Sequence, residues 1–138
     1  MLAKQKVIDA CFIVLEEKIN SLKNILLELE EASQSDSKSS AGDKHETARA
    51  MMQIEQEKIS RQLGELLEQK TQLEKGGVLI KTNKGFLFLS IALGKVLVDE
   101  STVMAISPQS PLGIKLNGLR TGDKTSINGA DYLIESVQ

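Results

Sequence analysis

The first part of the chain repeats apolar residues at helical spacing. Alternating steps of three and four residues place the repeated side chains on one stripe of a helix, the a and d positions of a heptad repeat. The series is Ile8, Phe12, Leu15, Ile19, Leu22, Leu26 and Leu29. It predicts a helix from about residue 4 to about residue 33, roughly 45 Å long at 1.5 Å per residue.

A second stripe with the same steps follows a polar segment. Its members are Met52, Gln56, Ile59, Leu63, Leu66, Lys70 and Leu73. They predict a helix from about residue 43 to about residue 75, although Gln56 and Lys70 are polar. Residues 33–42 contain five serines and no large apolar side chain, which is typical of a turn. Two matched helices around a short turn predict an antiparallel hairpin, and the alternative is one continuous helix in a parallel dimeric coiled coil.

The pattern changes after Lys75, where both prolines and eight of the ten glycines lie. Short apolar and β-branched runs between glycine-rich turns are typical of strands. The predicted strands cover residues 77–82, 86–93, 95–98, 102–106, 124–127 and 132–137, and the predicted short helix covers residues 112–119. The sequence therefore predicts an α+β protein with two domains. Residues 1–75 form a coiled-coil hairpin with its tip at about 33–46, and residues 76–138 form a small, mainly antiparallel β domain with one short helix.

Composition disfavours several classes of function. Seventeen Lys and Arg residues and nineteen Asp and Glu residues give a net charge of −2. This charge disfavours nonspecific electrostatic binding of nucleic acid as the main function. Only 3% of the residues are aromatic, which disfavours a cleft of stacked rings. The single Cys11 cannot form an intrachain disulfide and is interpreted as a core residue. No uncharged run reaches the roughly 20 residues of a membrane span, and the apolar run 86–94 is far shorter, so we expect a soluble, cytoplasmic protein.

The hairpin tip carries the most distinctive chemistry. Asp43 and Glu46 are three residues apart, so at a helix start both carboxylates face the same side of the first turn. One interpretation is a capping box, in which the acidic residues stabilise the helix end. The other is a pair of oxygen ligands for Mg²⁺, which takes one or two carboxylates and leaves its other positions to water and phosphate. Such a tip needs a partner that already binds phosphates.

Two segments of the chain resemble motifs of one family. The segment Gly42-Asp43-Lys44-His45-Glu46-Thr47-Ala48 resembles the G-D-x-x-E-N-A tip signature of the Gre transcript-cleavage factors of bacterial RNA polymerase. The segment from Ile106 to Gly113, followed by 119–123, resembles that family's I-x-x-x-S-P-[IL]-[AG] segment and its later glycine-aspartate turn. The two matches occur in the family's order, and the resemblance covers essentially the whole chain.

The resemblance implies a specific activity. Gre factors combine a coiled-coil hairpin with an FKBP-like domain, which docks at the rim of the polymerase secondary channel while the hairpin reaches the active centre. Asp43 and Glu46 match the tip acidic residues that help to hold the second catalytic Mg²⁺, so that the polymerase cleaves backtracked RNA at its extruded 3′ end. Ser110, Pro111 and Leu112 match the docking segment. The protein would then be a monomeric accessory factor, without enzymatic activity of its own, that reaches the nascent RNA only through the polymerase.

Departures from the family pattern leave other functions open. Thr47 stands where the family has Asn, and Ala50 stands where it has a nearby aromatic residue. A divergent member could occupy the channel as a regulator or inhibitor without stimulating cleavage. A third hypothesis is a structural adaptor that binds another helical protein through the seam, where Gln56 and Lys70 would set partner choice. Prolyl isomerase activity is disfavoured, because the few aromatic residues do not predict the required pocket.

Overall fold

The computed structural model describes residues 2–36 and 43–138, with side chains described for residues 2–32 and 47–138. Two long helices precede a six-stranded sheet and one short helix, which confirms the predicted α+β class. The helices are α1 (Lys4–Asp36), α2 (Asp43–Glu74) and α3 (Pro111–Leu116). The strands are β1 (Val78–Thr82), β2 (Gly85–Leu89), β3 (Gly94–Val98), β4 (Ser101–Ile106), β5 (Lys124–Ile127) and β6 (Ala130–Val137). None of the helices in this described part is long and apolar enough to cross a membrane.

The six strands form one mixed sheet in the order β3-β4-β2-β1-β6-β5. Among the described strands, β2 and β4 pair in parallel, and the other four pairings are antiparallel. The parallel pair arises because the chain leaves β2, forms the edge strand β3 and returns beside β2 as β4. The predicted mainly antiparallel sheet is therefore confirmed, and β3 and β5 form its two edges.

Both faces of the central strands are buried. One face carries a core cluster with Leu116 of α3, whose sheet members are Ile80, Leu87, Leu89 and Ile134. On the opposite face of the same strands, Leu79 and Phe88 are also buried. Burial on both faces explains why β2 has a continuous apolar sequence instead of the alternation of a strand with one wet face.

The chain divides into two compact units by its contacts. One unit contains residues 1–14 and 70–138, so it includes the start of α1 and the end of α2 as well as the sheet. The other unit contains residues 15–69. The division of the chain at residue 76 stays a prediction about which parts fold independently.

The buried stripe of α1 differs from the predicted seam near the beginning of the helix. Val7 and Cys11 are buried, whereas the predicted seam residues Ile8 and Phe12 are only half-buried. Leu15 and Ile19 are buried as predicted. The start of α1 belongs to the unit that contains the sheet. A helix that packs into a larger core buries a wider stripe of side chains than the a and d positions of a helix pair, so the predicted seam does not describe the burial there.

Several predicted boundaries are corrected. Helix α1 continues through Asp36, so the serine-rich segment begins as helix, and its remainder, 37–42, lies outside the described residues. Strand β2 ends at Leu89 instead of residue 93, because the chain bends at Ser90, whose Oγ donates to the carbonyl of Gly76 at 3.0 Å. Helix α3 begins at Pro111 and ends at Leu116, since Gly118 has a positive φ of 81° that a helix does not continue through.

The side chain of Gln138 caps the start of α1. The backbone of Gln138 pairs with Leu79, and its side-chain Oε1 accepts the Lys4 backbone N–H at 3.1 Å. Its Nε2 donates to the Leu2 carbonyl at 2.8 Å. The first helical N–H groups have no partner within a helix, so a glutamine distant in sequence supplies the cap that no nearby side chain provides.

Cys11 is free and buried, and burial raises its pKa to about 11. Because the thiolate is the reactive form, we expect Cys11 in the native protein to resist a thiol reagent at pH 8 and to react fully after denaturation with urea. Absorbance of the released chromophore measures both rates. The same raised pKa means that the neutral thiol contributes stability below about pH 9 and loses that contribution as the pH rises towards 11. Rapid labelling of the native protein would contradict the buried position.

Candidate functional site

The two acidic tip residues lie in the first turn of α2. Helix α2 begins at Asp43, which places Glu46 three residues later along its backbone. Positions three apart are neighbours on a helix surface, and the positive end of the helix dipole favours negative charge there. The side chains of Asp43 and Glu46 lie outside the described set, so their contacts and the predicted Mg²⁺ site stay predictions.

Residues 2–32 and 47–138, for which side chains are described, contain no group of three or more His, Cys, Asp or Glu side chains that could hold a metal ion. Two carboxylates at a helix start fit the usual protein share of a Mg²⁺ coordination shell, which is one or two carboxylates. The chemistry of the pair therefore suits an ion that is held jointly with a partner.

The second sequence motif forms the N-terminal cap of α3. Ser110 is the cap residue: its Oγ accepts the Gly113 backbone N–H at 3.0 Å and donates to the Ser107 carbonyl at 2.7 Å. Pro111 occupies the first helical position, where a missing N–H costs nothing. The Ser-Pro dipeptide therefore starts the short helix α3.

Gly113 is buried where the loop before α3 passes closest to the helix. A Cβ atom on Gly113 would overlap the Ser107 carbonyl oxygen and would lie 3.0 Å from the carbonyl carbon of Pro108. Both obstacles are backbone atoms, so no side-chain rotation relieves the overlap. The glycine at the end of the S-P-L-G segment is thus required by packing.

The three predicted docking residues have different surroundings. Leu112 packs against the core cluster, and Ser110 is half-buried in the cap. Pro111 is exposed, and three residues later Ile114 is 63% exposed. Sequence reasoning missed Ile114, because the sequence does not show which side of α3 the sheet covers. Pro111 and Ile114 are the apolar side chains that α3 presents to solvent.

The cap interaction gives a direct prediction. We expect Ser110→Ala to lower the free energy of unfolding by about 1 kcal/mol, because the Gly113 N–H loses its acceptor. Urea denaturation followed by circular dichroism measures the change. Ser60→Ala, at an exposed position inside α2, is the matched control, and we expect it to be neutral or slightly stabilising. Equal effects at the two serines would contradict the capping role.

A shallow groove of about 580 Å³ crosses the end of the sheet at β5 and β6. It is lined by Asn83, Lys124, Thr125, Ser126, Asp131, Tyr132 and Leu133. The ammonium of Lys84 lies 5.9 Å from the centre of the Tyr132 ring, within the range of a cation–π interaction. Tyr132 is the single aromatic residue in this lining, and Phe88 is fully buried, so the groove is not the ring-lined pocket that prolyl isomerisation needs.

Comparison of the chain with protein-family profiles, with curated proteins and with solved structures finds no match.

Proposed function

We propose that this protein is a divergent Gre-like transcription elongation factor that binds the secondary channel of bacterial RNA polymerase and stimulates cleavage of backtracked RNA. The observation that carries the proposal is the position of the tip motif. The segment with Asp43 and Glu46 opens α2, the second of two long helices that precede an α+β domain. The Ser110-Pro111 motif starts α3 in that domain.

The tip residues would act by completing a metal site in the polymerase. Asp43 and Glu46 would offer carboxylate oxygens to an Mg²⁺ ion that the polymerase also contacts, and the ion would lower the pKa of its bound water and stabilise the charge that develops on the phosphodiester. Because the chain supplies only part of the coordination shell, the isolated protein would bind Mg²⁺ weakly. It would act as an accessory factor and perform no catalysis alone.

The C-terminal domain would dock the protein on the polymerase. We propose that it is FKBP-like and that Ser110, Pro111 and Leu112 belong to the docking segment. Pro111 and Ile114 support this proposal, because their exposed apolar side chains offer contact area to a partner. Ser110 and Leu112 would act indirectly, by holding α3 in place. The protein would work as a monomer in the cytoplasm, together with the polymerase.

A second candidate is a channel-binding regulator that does not stimulate cleavage. The observation that favours it is the altered tip, with Thr47 and Ala50 in place of the family's Asn and aromatic residue. A tip without those contacts would occupy the channel but hold its carboxylates in an unproductive position. Such a protein would bind the polymerase and slow elongation or change the lifetime of promoter complexes.

The decisive experiment uses backtracked elongation complexes assembled with the RNA polymerase of the organism that encodes the protein. Shortening of 3′-backtracked, 5′-labelled RNA is followed on a gel with and without the purified protein, in Mg²⁺ buffer. Faster shortening supports the cleavage factor. Binding without shortening supports the channel regulator. No polymerase binding, together with recovery of a helical partner protein in a pull-down, supports the adaptor that uses the α1 and α2 seam.

A further inference from the structure

Strand β5 lies at one edge of the sheet. Among the strands that the structure describes, it pairs with β6 alone. The two strands are joined by the two-residue turn Asn128-Gly129, which Ile127 and Ala130 flank as partners. In such a hairpin the flanking residues exchange backbone hydrogen bonds, and alternate residues turn their N–H and C=O groups away. The backbone groups of Lys124 and Ser126 therefore point outwards from the sheet.

The outward carbonyl of Ser126 already accepts a hydrogen bond from a charged donor. The Lys115 Nζ of α3 donates to it at 3.0 Å. Lysine near an open edge is a common protection against unwanted strand pairing. A lysine ammonium on a flexible stem is also easily displaced, and it then becomes a partner for a carboxylate on the displacing chain.

Three lysines lie around this edge of the sheet and its groove. Lys124 lines it, Lys84 lies at its rim over Tyr132, and Lys115 lies at the β5 edge. Asp131 is the one carboxylate in the lining. The carboxylate of the neighbouring Asp123 accepts the Arg120 backbone N–H at 2.7 Å. The local excess of positive charge contrasts with the net charge of −2 of the whole chain.

We propose that β5 binds an extended, acidic peptide segment of a partner protein as an additional strand. The peptide backbone would pair with the outward groups of Lys124 and Ser126, and an acidic side chain would lie in the groove beside Lys124. The Lys115 ammonium would leave the Ser126 carbonyl and pair with a second carboxylate. This proposal does not depend on the transcription role.

A second copy of this chain is a poor occupant of the same edge. Antiparallel pairing of two β5 strands would set Lys124 of one copy opposite Ser126 of the other and would bring both Lys115 ammonium groups to the same edge. The two Lys115 ammonium groups would repel one another there, which disfavours self-pairing, whereas an acidic chain would offer them carboxylates.

The test titrates the full-length ¹⁵N-labelled protein with a blocked hexapeptide of alternating valine and threonine that carries one central glutamate, up to about 1 mM. We expect the largest shifts at the backbone amides of Lys124 and Ser126. A peptide with lysine in place of the glutamate is the matched control, and we expect its affinity to be lower by a factor of about five or more.

Two proline variants distinguish peptide binding at the β5 edge from binding at the β3 edge. Ser126→Pro removes an outward N–H without removing a bond of the β5–β6 ladder, which is the position where a sheet tolerates proline. We expect it to abolish peptide binding. Leu97→Pro removes the equivalent outward N–H from β3, at the opposite edge, and we expect binding as in the wild type. Lys124→Glu keeps the backbone intact and should reverse the preference between the two peptides.

Several results would overturn the proposal. They are the absence of binding at the highest peptide concentration, equal binding of both peptides, wild-type affinity of Lys124→Glu for the acidic peptide, or shifts centred on β3. Shifts of the β5 amides that depend on protein concentration without peptide would instead assign the edge to a second copy. Because Lys124→Glu and the lysine peptide leave the strand unaltered, a folding failure of Ser126→Pro does not remove the test.

Discussion

The combined substitution Asp43→Asn and Glu46→Gln is expected to lower stimulated transcript cleavage on the order of 100-fold while leaving polymerase binding intact. Both amides have nearly the shape of the carboxylates that they replace, but they lack the negative charge that holds Mg²⁺. The measurement is the rate of RNA shortening in backtracked complexes at saturating protein. Binding is followed separately by competition with the wild-type protein.

The same two substitutions separate the metal function from helix capping. Asparagine caps a helix about as well as aspartate, and glutamine can replace glutamate in a capping box. If Asp43 and Glu46 only stabilise the start of α2, the double variant keeps both its stability and its activity. A loss of cleavage with an unchanged unfolding curve therefore assigns the effect to the charges.

A matched control comes from the exposed surface of the same helix. Glu57→Gln and Glu65→Gln remove two carboxylates from α2 further from its start, and the net charge changes by the same amount. We expect this pair to leave cleavage within about twofold of the wild type, because exposed charges beyond a Debye length are largely screened. Equal loss of cleavage in both pairs would show that net charge matters and that the tip carboxylates have no special role.

The second large effect is expected at Gly113. We expect Gly113→Ala to lower the free energy of unfolding by about 3 kcal/mol, because the new methyl group overlaps backbone atoms of Ser107 and Pro108. Relief requires α3 to move away from the preceding loop, which would also strain the Ser110 cap. A domain of this size has a small core, so the variant is expected to approach the limit of stability at room temperature. Urea denaturation measures the loss.

Gly64→Ala is the natural control, since the same methyl group is added at a position with free space. Gly64 lies inside α2, and beyond the adjacent backbone of the helix itself a Cβ atom there would meet no atom within 4 Å. Alanine favours a helix interior over glycine by about 1 kcal/mol, so we expect a gain of roughly that size. The two substitutions should therefore change stability in opposite directions. A Gly113→Ala protein as stable as the wild type would show that the loop before α3 moves away from the new methyl group at little cost in free energy.

Much of the fold follows from local sequence patterns. The two helices, the six strands and the short helix all occur within a few residues of their predicted ranges, and the Asn128-Gly129 turn joins two strands as its sequence predicts. These elements can be predicted from the sequence because they depend on short-range features, namely heptad spacing, β-branched runs and turn residues. The boundary errors at Asp36 and Leu89 arose where the sequence pattern was ambiguous between continuing an element and ending it.

Only part of the candidate site was predicted from the sequence. The tip pair and the Ser-Pro segment were found from residue types and order, and Ser110 was correctly placed near a helix start. The exposure of Ile114 and the outward edge of β5 were not predicted. The exposure of Ile114 and the outward edge of β5 depend on which elements pack beside them. Local sequence patterns do not show this packing.

The sequence by itself determined the kinds of elements, their order and the positions of the chemically distinctive residues. The tertiary structure alone decided the strand order, the parallel pairing of β2 with β4, and the inclusion of Val7 and Cys11 in the unit that contains the sheet. It also decided that Gln138 caps the start of α1, across almost the full length of the chain. The physical reason is that helix and turn preferences act over a few residues, whereas pairing and burial join residues that are distant in sequence and depend on the whole packed arrangement.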